Sequence, residues 1–257
     1  MSSDREDRVA SERAFHDERF SGDSGRKTAA YYEVDSGNVA YRTLVAEISS
    51  PCRVLEYGCG LGSAAFGLAS RGIDVVGIDI SPVAIEEAWR QASEKGVDEH
   101  TQFVEMDAHR LLMPDESFDV VCGSGVLHHL ELEAALPEVA RVLKPDGRAI
   151  FYEPLGTNPV ISLYRRLTPS SRTPDEHPLL PADLELASRW FGVVDAEPHS
   201  FVALLGVPAA RIPGGRRMLP WLHRLDRWLF RRIPFTRRWA WVVVLDLRQP
   251  VREFRSA

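Results

Sequence analysis

The densest grouping of residues able to do chemistry is Val54-Leu55-Glu56-Tyr57-Gly58-Cys59-Gly60-Leu61-Gly62, an apolar run that closes on an acid and enters a G-x-G-x-G turn. Glycines at that spacing let the chain turn sharply and bring its backbone against a ligand with no Cβ in the way. Further on, Val75-Val76-Gly77-Ile78 ends in Asp79, an acid placed to take both hydroxyls of a ribose. The two landmarks together predict a nucleotide-like ligand. A dinucleotide fingerprint would need glycine at 63, where Ser63 stands, and a pyrophosphate favours the bare positive end of a helix. Glu56 instead sets a carboxylate beside the turn, which suits a ligand carrying an amino group and a sulfonium. A nicotinamide dehydrogenase is kept as a remote alternative.

A second group of candidates follows. His128 and His129, in Leu127-His128-His129-Leu130, titrate near neutrality and suit a general base; packing or hydrogen bonding at a helix start is the plainer role. Glu153 ends an apolar run on the expected ligand edge, and His177 sits in the Arg172–Pro178 loop, where each could touch a substrate. Salt bridges among Arg165, Arg166, Arg172, Asp175 and Glu176 would instead stitch that loop together. Tyr31 and Tyr32 fit a lid over the ligand or an ordinary aromatic helix face. No metal is expected: adjacent histidines diverge on a helix, and no partner has ligand spacing.

These residues need a scaffold, and the flanking pattern supplies one. Short β-rich runs at 53–57, 74–79, 101–105, 118–123 and 148–153 alternate with helix-like segments at 62–70, 82–95 and about 131–143. Ser81-Pro82 is a helix start, and Lys144-Pro145-Asp146-Gly147 is a stop and turn. Pro137 predicts a kink or a helix beginning near Leu136. Repeated strand and helix of this kind imply right-handed crossovers and a parallel sheet. An amphipathic stretch spans residues 31–48. Residues 154–180 read as a long loop, 181–190 as a short helix, 191–194 and 201–205 as strands, and 239–247 as the final strand.

The whole is one domain over 1–257. It divides into an N-terminal lid segment (1–49), a ligand-binding core (50–155) and a substrate side (156–257) that includes an Arg-rich insertion at 206–238. That insertion holds nine arginines and one acid in a chain whose formal charge is −6. Trp221, Leu222, Leu225, Trp228 and Leu229 recur at helical spacing there, with Arg224, Arg227 and Arg231 on the other side. The apolar stripe fits a cap over the sheet edge or cleft, peripheral contact with an anionic membrane, or recognition of an anionic substrate group. The acidic balance gives no support to nucleic-acid binding. Three cysteines without C-x-x-C spacing, and a charged start with no apolar leader, point to the cytoplasm.

EYGCGLG, GIDIS, MDA at 106–108, FDVVCGSGVLHHL at 118–130 and RVLKPDGRAIFYEP at 141–154 resemble, in order and spacing, the class I S-adenosylmethionine-dependent methyltransferases, of the ubiquinone-biosynthesis type. The resemblance covers about residues 50–155. It implies a Rossmann-like, doubly wound α/β fold: a mostly parallel seven-stranded sheet with an antiparallel last strand, helices on both faces and a helical cap. It implies S-adenosyl-L-methionine as cofactor, with Glu56, Gly58, Gly60 and Gly62 holding the methionine part. Asp79 would bind the ribose, and Ile80 would pack on the adenine, which Asp107 and Ala108 would contact. Gly123–Val126 would lie near the sulfonium. The activity implied is methyl transfer to O, N or C of a small apolar or amphipathic metabolite; a non-catalytic cofactor-binding scaffold is the alternative.

Overall fold

Alternate residues of each central strand are apolar on both sides, which a sheet covered by helices on both faces requires. Val54, Val75, Val120, Ile150 and Val242 enter one buried cluster, and their neighbours Leu55, Val76, Val121, Phe151 and Val243 enter the other. A computed structural model of the chain describes residues 10–14, 16–17, 35–168, 176–209, 212 and 214–252. The strands are β1 (Arg53–Tyr57), β2 (Asp74–Asp79), β3 (Thr101–Glu105), β4 (Phe118–Ser124), β5 (Leu143–Pro154), β6 (Phe191–His199) and β7 (Val242–Pro250). They form one seven-stranded sheet in the order β3-β2-β1-β4-β5-β7-β6. Strands β1 to β5 pair in parallel, and β7 runs antiparallel to both β5 and β6. This is the Rossmann-like methyltransferase topology that the motifs imply.

The helices are α1 (Ser36–Ala46), α2 (Ser63–Ala69), α3 (Pro82–Lys95), α4 (Leu132–Val142), α5 (Pro159–Leu167), α6 (Pro181–Ala187) and α7 (Leu219–Arg232). Tyr41 and Val45 of α1, Leu68 of α2 and Ala88 of α3 cover one face of the sheet. Leu136 and Val139 of α4, Ala187 of α6 and Phe230 of α7 cover the other. Strand β1 lies between β2 and β4, so the winding direction reverses there, and the crevice for a ligand opens at the carboxyl ends of these strands. No helix among the described residues is long and apolar enough to cross a membrane.

Four expectations are corrected. Phe201–Leu205 is not a strand: Val202–Leu205 is a 3₁₀ turn, because the amides of Phe201, Val202 and Ala203 are all taken by the buried Asp226 carboxylate at 2.6–3.1 Å. Residues 154–180 are not all loop: Asn158 caps α5 by accepting from the Val160 and Ile161 amides, with Pro159 at its first position. Helix α4 begins at Leu132 with Pro137 inside it, so the late start does not occur. Strand pairing passes through Lys144–Gly147, where the register jumps from Phe118↔Leu143 to Val120↔Arg148 and the expected turn bulges outward.

Asp35 ties helix α1 to strand β5 and to the turn after β6. Its buried carboxylate caps α1 through the Gly37 and Asn38 amides and also accepts from Ser200 Oγ and from the Tyr152 hydroxyl of β5. Asp35→Ala strands two buried hydroxyls and uncaps α1. We expect a loss of about 2–3 kcal/mol in urea unfolding, with the slope of the transition unchanged.

Candidate active site

The glycine turn after β1 can be made only as it stands. Gly58, Gly60 and Gly62 have φ of +69°, +49° and +82°, and a Cβ on Gly58 would lie 2.6 Å from Val126. Glu56, buried at the end of β1, reaches across the turn to accept from the Ala64 and Ala65 amides at 3.0 and 2.9 Å. Those are the first amides of α2, the groups that a pyrophosphate would need. The carboxylate therefore occupies the phosphate position of a dinucleotide fold and presents negative charge instead. Burial drives its pKa up to about 7, and the two amides only partly offset that. A cationic ligand group arriving here would favour the charged form.

Asp79 stands on the other side of the turn. It accepts from Gly60 N at 2.8 Å and from Ser81 N at 3.0 Å, which fixes its carboxylate at the mouth of the crevice. Ile80 is half-buried beside it. Asp107, just beyond β3, is pinned by His109, whose backbone and ring Nδ1 lie 2.9 and 2.7 Å from the same oxygen. The other ring nitrogen of His109 accepts from Glu131 N, so Nδ1 carries the proton. The Ala108 carbonyl accepts from the Tyr57 hydroxyl. Gly123 is buried within β4, where a Cβ would strike the Tyr57 carbonyl, Phe151 and Val126. Tyr31 and Tyr32 lie outside the described residues.

At the edge formed by β4 and β5, the structure separates the candidate catalytic residues. Glu153 has no exposed surface. It accepts from Val126 N and Leu127 N at 2.9 and 2.8 Å and bonds His128 Nδ1 at 2.7 Å. His128 Nε2 lies 3.2 Å from Glu176, which accepts from Arg165 at 3.0 Å. Burial alone would lower the His128 pKa, but the hydrogen bonds and charges of the two carboxylates lift it to about 9. His128 is thus a clamped imidazolium at neutral pH, not a base. Glu153, fully buried, spends both carboxylate oxygens on holding the turn and His128. His177 is corrected as well: its side chain is 55% exposed and pairs with Asp183 at 3.4 Å, and only its backbone reaches the site edge, donating to His128 O.

His129 differs from its neighbour. Burial pushes its pKa down; Glu12 offsets this only in part, and the charge of His128, its tilted ring centred 4.2 Å away, opposes a second charge. Glu12 lies 3.1 Å from His129 Nδ1 and 3.6 Å from His16, whose ring meets His129 edge-on. Glu12, His16 and His129 thus bring donor atoms within 4.8 Å of one another, as do His128, His129 and Glu176, which corrects the view that no partner has ligand spacing. The segment with helical residues 10–14 and 16–17 also links Arg13 to Glu105 at 2.6 Å and Asp17 to Ser81 Oγ. It therefore touches the chain just beyond β2, the end of β3 and the turn after β4, three borders of the crevice. Sequence reasoning missed Glu12, His16, Asp17 and His109, because their partners are distant in the chain or seem unremarkable in type.

Residues 55–151 match the family model described as "Methyltransferase domain". With Glu56 already holding the amides that a phosphate would use, that match decides the ligand. Residues 55–151 thus carry a methyltransferase domain, similar to those of the class I S-adenosylmethionine-dependent enzymes. Its cofactor is S-adenosyl-L-methionine. The chain is 35% identical over 159 residues to the aklanonic acid methyltransferase DauC of Streptomyces sp. (strain C5), covering 57% of this chain and 66% of that one. It is 37% identical over 107 residues to the demethylmenaquinone methyltransferase of Thermus thermophilus, covering 40% and 48%. Among solved structures, the [4+2]-cyclase SpnF superposes with a TM-score of 0.57 at 25% identity, covering 83% of each chain. The matches span less than two thirds of the length of the curated relatives.

The clamp on His128 gives the protein a pH signature. A group whose pKa is raised on folding stabilises fully below its unfolded value, near 6.5, and loses that contribution as pH rises through the folded value, about 9. Urea unfolding of the wild type is expected to lose on the order of 3 kcal/mol across that window. His128→Asn should flatten the slope there.

Proposed function

We propose that the protein transfers the methyl group of S-adenosyl-L-methionine to an oxygen, nitrogen or carbon of a small apolar or amphipathic metabolite. The observation that carries this reading is the Glu56 carboxylate on the first amides of α2, which turns an anion-binding helix end into a cation-tolerant one. Glu56 and the backbone of Gly58, Gly60 and Gly62 would face the methionine part. Asp79 would bind the ribose, Ile80 the adenine face and Asp107 the adenine amino group. The Ala108 backbone, whose carbonyl accepts from Tyr57, would lie beside the adenine, and Gly123, which allows close packing within β4, would lie near the sulfonium. The relatives named above act, by their names, on aklanonic acid and on demethylmenaquinone, which supports a small-molecule acceptor.

When bound, the cofactor supplies an activated methyl group for in-line displacement. The protein's part is to align the acceptor with the methyl carbon and exclude water. Of the two adjacent histidines, His129 is the one held neutral and able to take the acceptor's proton. The segment with helical residues 10–14 and 16–17 borders the same crevice and would serve the lid role expected of the N-terminal segment. Three free thiols, two of them buried, fit a reducing cytoplasm. The likeness to a [4+2]-cyclase supports one second reading, a cofactor-binding protein of this fold that does not transfer methyl.

Calorimetry with S-adenosyl-L-methionine, followed by incubation with methyl-labelled cofactor and cell extract, separates the readings. Binding with a labelled product supports methyl transfer, binding without any product supports the second reading, and no binding overturns both. Asp79→Ala should weaken cofactor affinity by about tenfold or more. His129→Asn should cut turnover by about 10²-fold at unchanged cofactor affinity. Unchanged turnover in His129→Asn would remove that residue from the chemistry.

A further inference from the structure

We infer that the outer face of α7, with the 3₁₀ turns on either side of it, docks on an anionic membrane surface. The helix is inverted relative to an ordinary cap. A cap would turn its large apolar side chains inward, yet Trp221 is 68% and Trp228 53% exposed, and Met218 and Leu225 are exposed with them. These four recur at intervals of three, four and three residues, which places them in one stripe along the solvent side. Facing inward are Phe230, which joins the core, and Asp226, whose carboxylate is consumed by the Phe201, Val202 and Ala203 amides. The expectation that Trp221, Leu225 and Trp228 cover the sheet edge therefore fails.

Charge selects the occupant. Arg224, Arg227 and Arg231 are exposed and run along one flank of the stripe, and Arg232 closes its end. Arg224 stacks over the Trp221 ring at 5.0 Å. Phe235 is exposed in the following turn, Pro234–Trp239, which carries Arg237 and Arg238. The insertion holds nine arginines, and its single acid, Asp226, is buried, in a chain of net charge −6. Indole rings set among guanidinium groups on a helix of strong amphipathicity match the headgroup layer of an anionic bilayer. A second copy of the chain would bring like charges face to face, which disfavours a symmetric dimer through this stripe.

The inference rests on the proposed function only in the amphipathic character of the acceptor. Helix α5, tied to the same region by the Asn158 side chain on the Trp239 carbonyl, also exposes Val160, Leu163 and Leu167. An acceptor leaving the bilayer would thus meet apolar surface on the substrate side of the fold.

Flotation of the full chain with phosphatidylcholine–phosphatidylglycerol vesicles, and with phosphatidylcholine vesicles alone, tests the inference. Expected are binding to the anionic vesicles only, weakening as salt rises, and a blue shift of tryptophan emission. Trp221→Ser with Trp228→Ser, and separately Arg224→Glu with Arg231→Glu, should each reduce anionic-vesicle binding by about tenfold or more. Their thermal unfolding and cofactor affinity should match the wild type. Absence of binding, equal binding to neutral vesicles, unaltered binding in both variants, or a dimer in light scattering that the tryptophan variants dissolve would each overturn it. Failure of the proposed methyl transfer would show instead as lost cofactor binding or absent product, with vesicle binding intact.

Discussion

The carboxylate of Glu153, at the end of β5 and wholly removed from water, organises the edge where the acceptor would sit. A buried charge of this kind persists only when its oxygens are paired. The pairing requires the amides of Val126 and Leu127 to turn inward and the His128 ring to take a proton. That in turn draws Glu176 and Arg165 into line and brings the 176–180 segment alongside β5, where Leu155 bridges Leu179. Removing either member of the pair leaves the other charged and buried.

The same logic governs the cofactor side. Glu56, Asp79 and Asp107 each accept two backbone or ring N–H groups before any ligand arrives. Three acids at the carboxyl ends of neighbouring strands would repel one another and flex if unpaired. Anchored, they form a preorganised rim, so little ordering is left for the ligand to bring about. The parallel sheet supplies the spacing, because β1 meets β2 and β4 at the point where the winding reverses.

Features set by neighbours in the chain could be read from the residues alone. The Gly58–Gly62 turn, the Ser81 cap with Pro82, and strands β1 to β4 fall where the motifs put them, because each depends on contacts within one strand–turn–helix unit. What depends on distant partners could not be read. The charge of His128 comes from Glu153 and Glu176, well removed in sequence, and two adjacent histidines of one type end with opposite tendencies. The 201–205 segment has strand-like residues, but Asp226 on α7 takes three of its amides and winds it into a turn. Helix α5 hides in a Pro- and Ser-rich stretch whose only signal is Asn158-Pro159. The apolar stripe of α7 was visible as a stripe; which way it faced was not.

The proposed division of labour makes His128 a buried structural cation and His129 the neutral ring that would take the acceptor's proton. Nitrogen-15 NMR of histidine-labelled protein, with His128→Asn and His129→Asn to assign the signals, reads both rings directly. The account predicts that His128 carries protons on both ring nitrogens through pH 8, losing one only near pH 9, while His129 is singly protonated at pH 7. A neutral His128 at pH 7, or a doubly protonated His129, would contradict it.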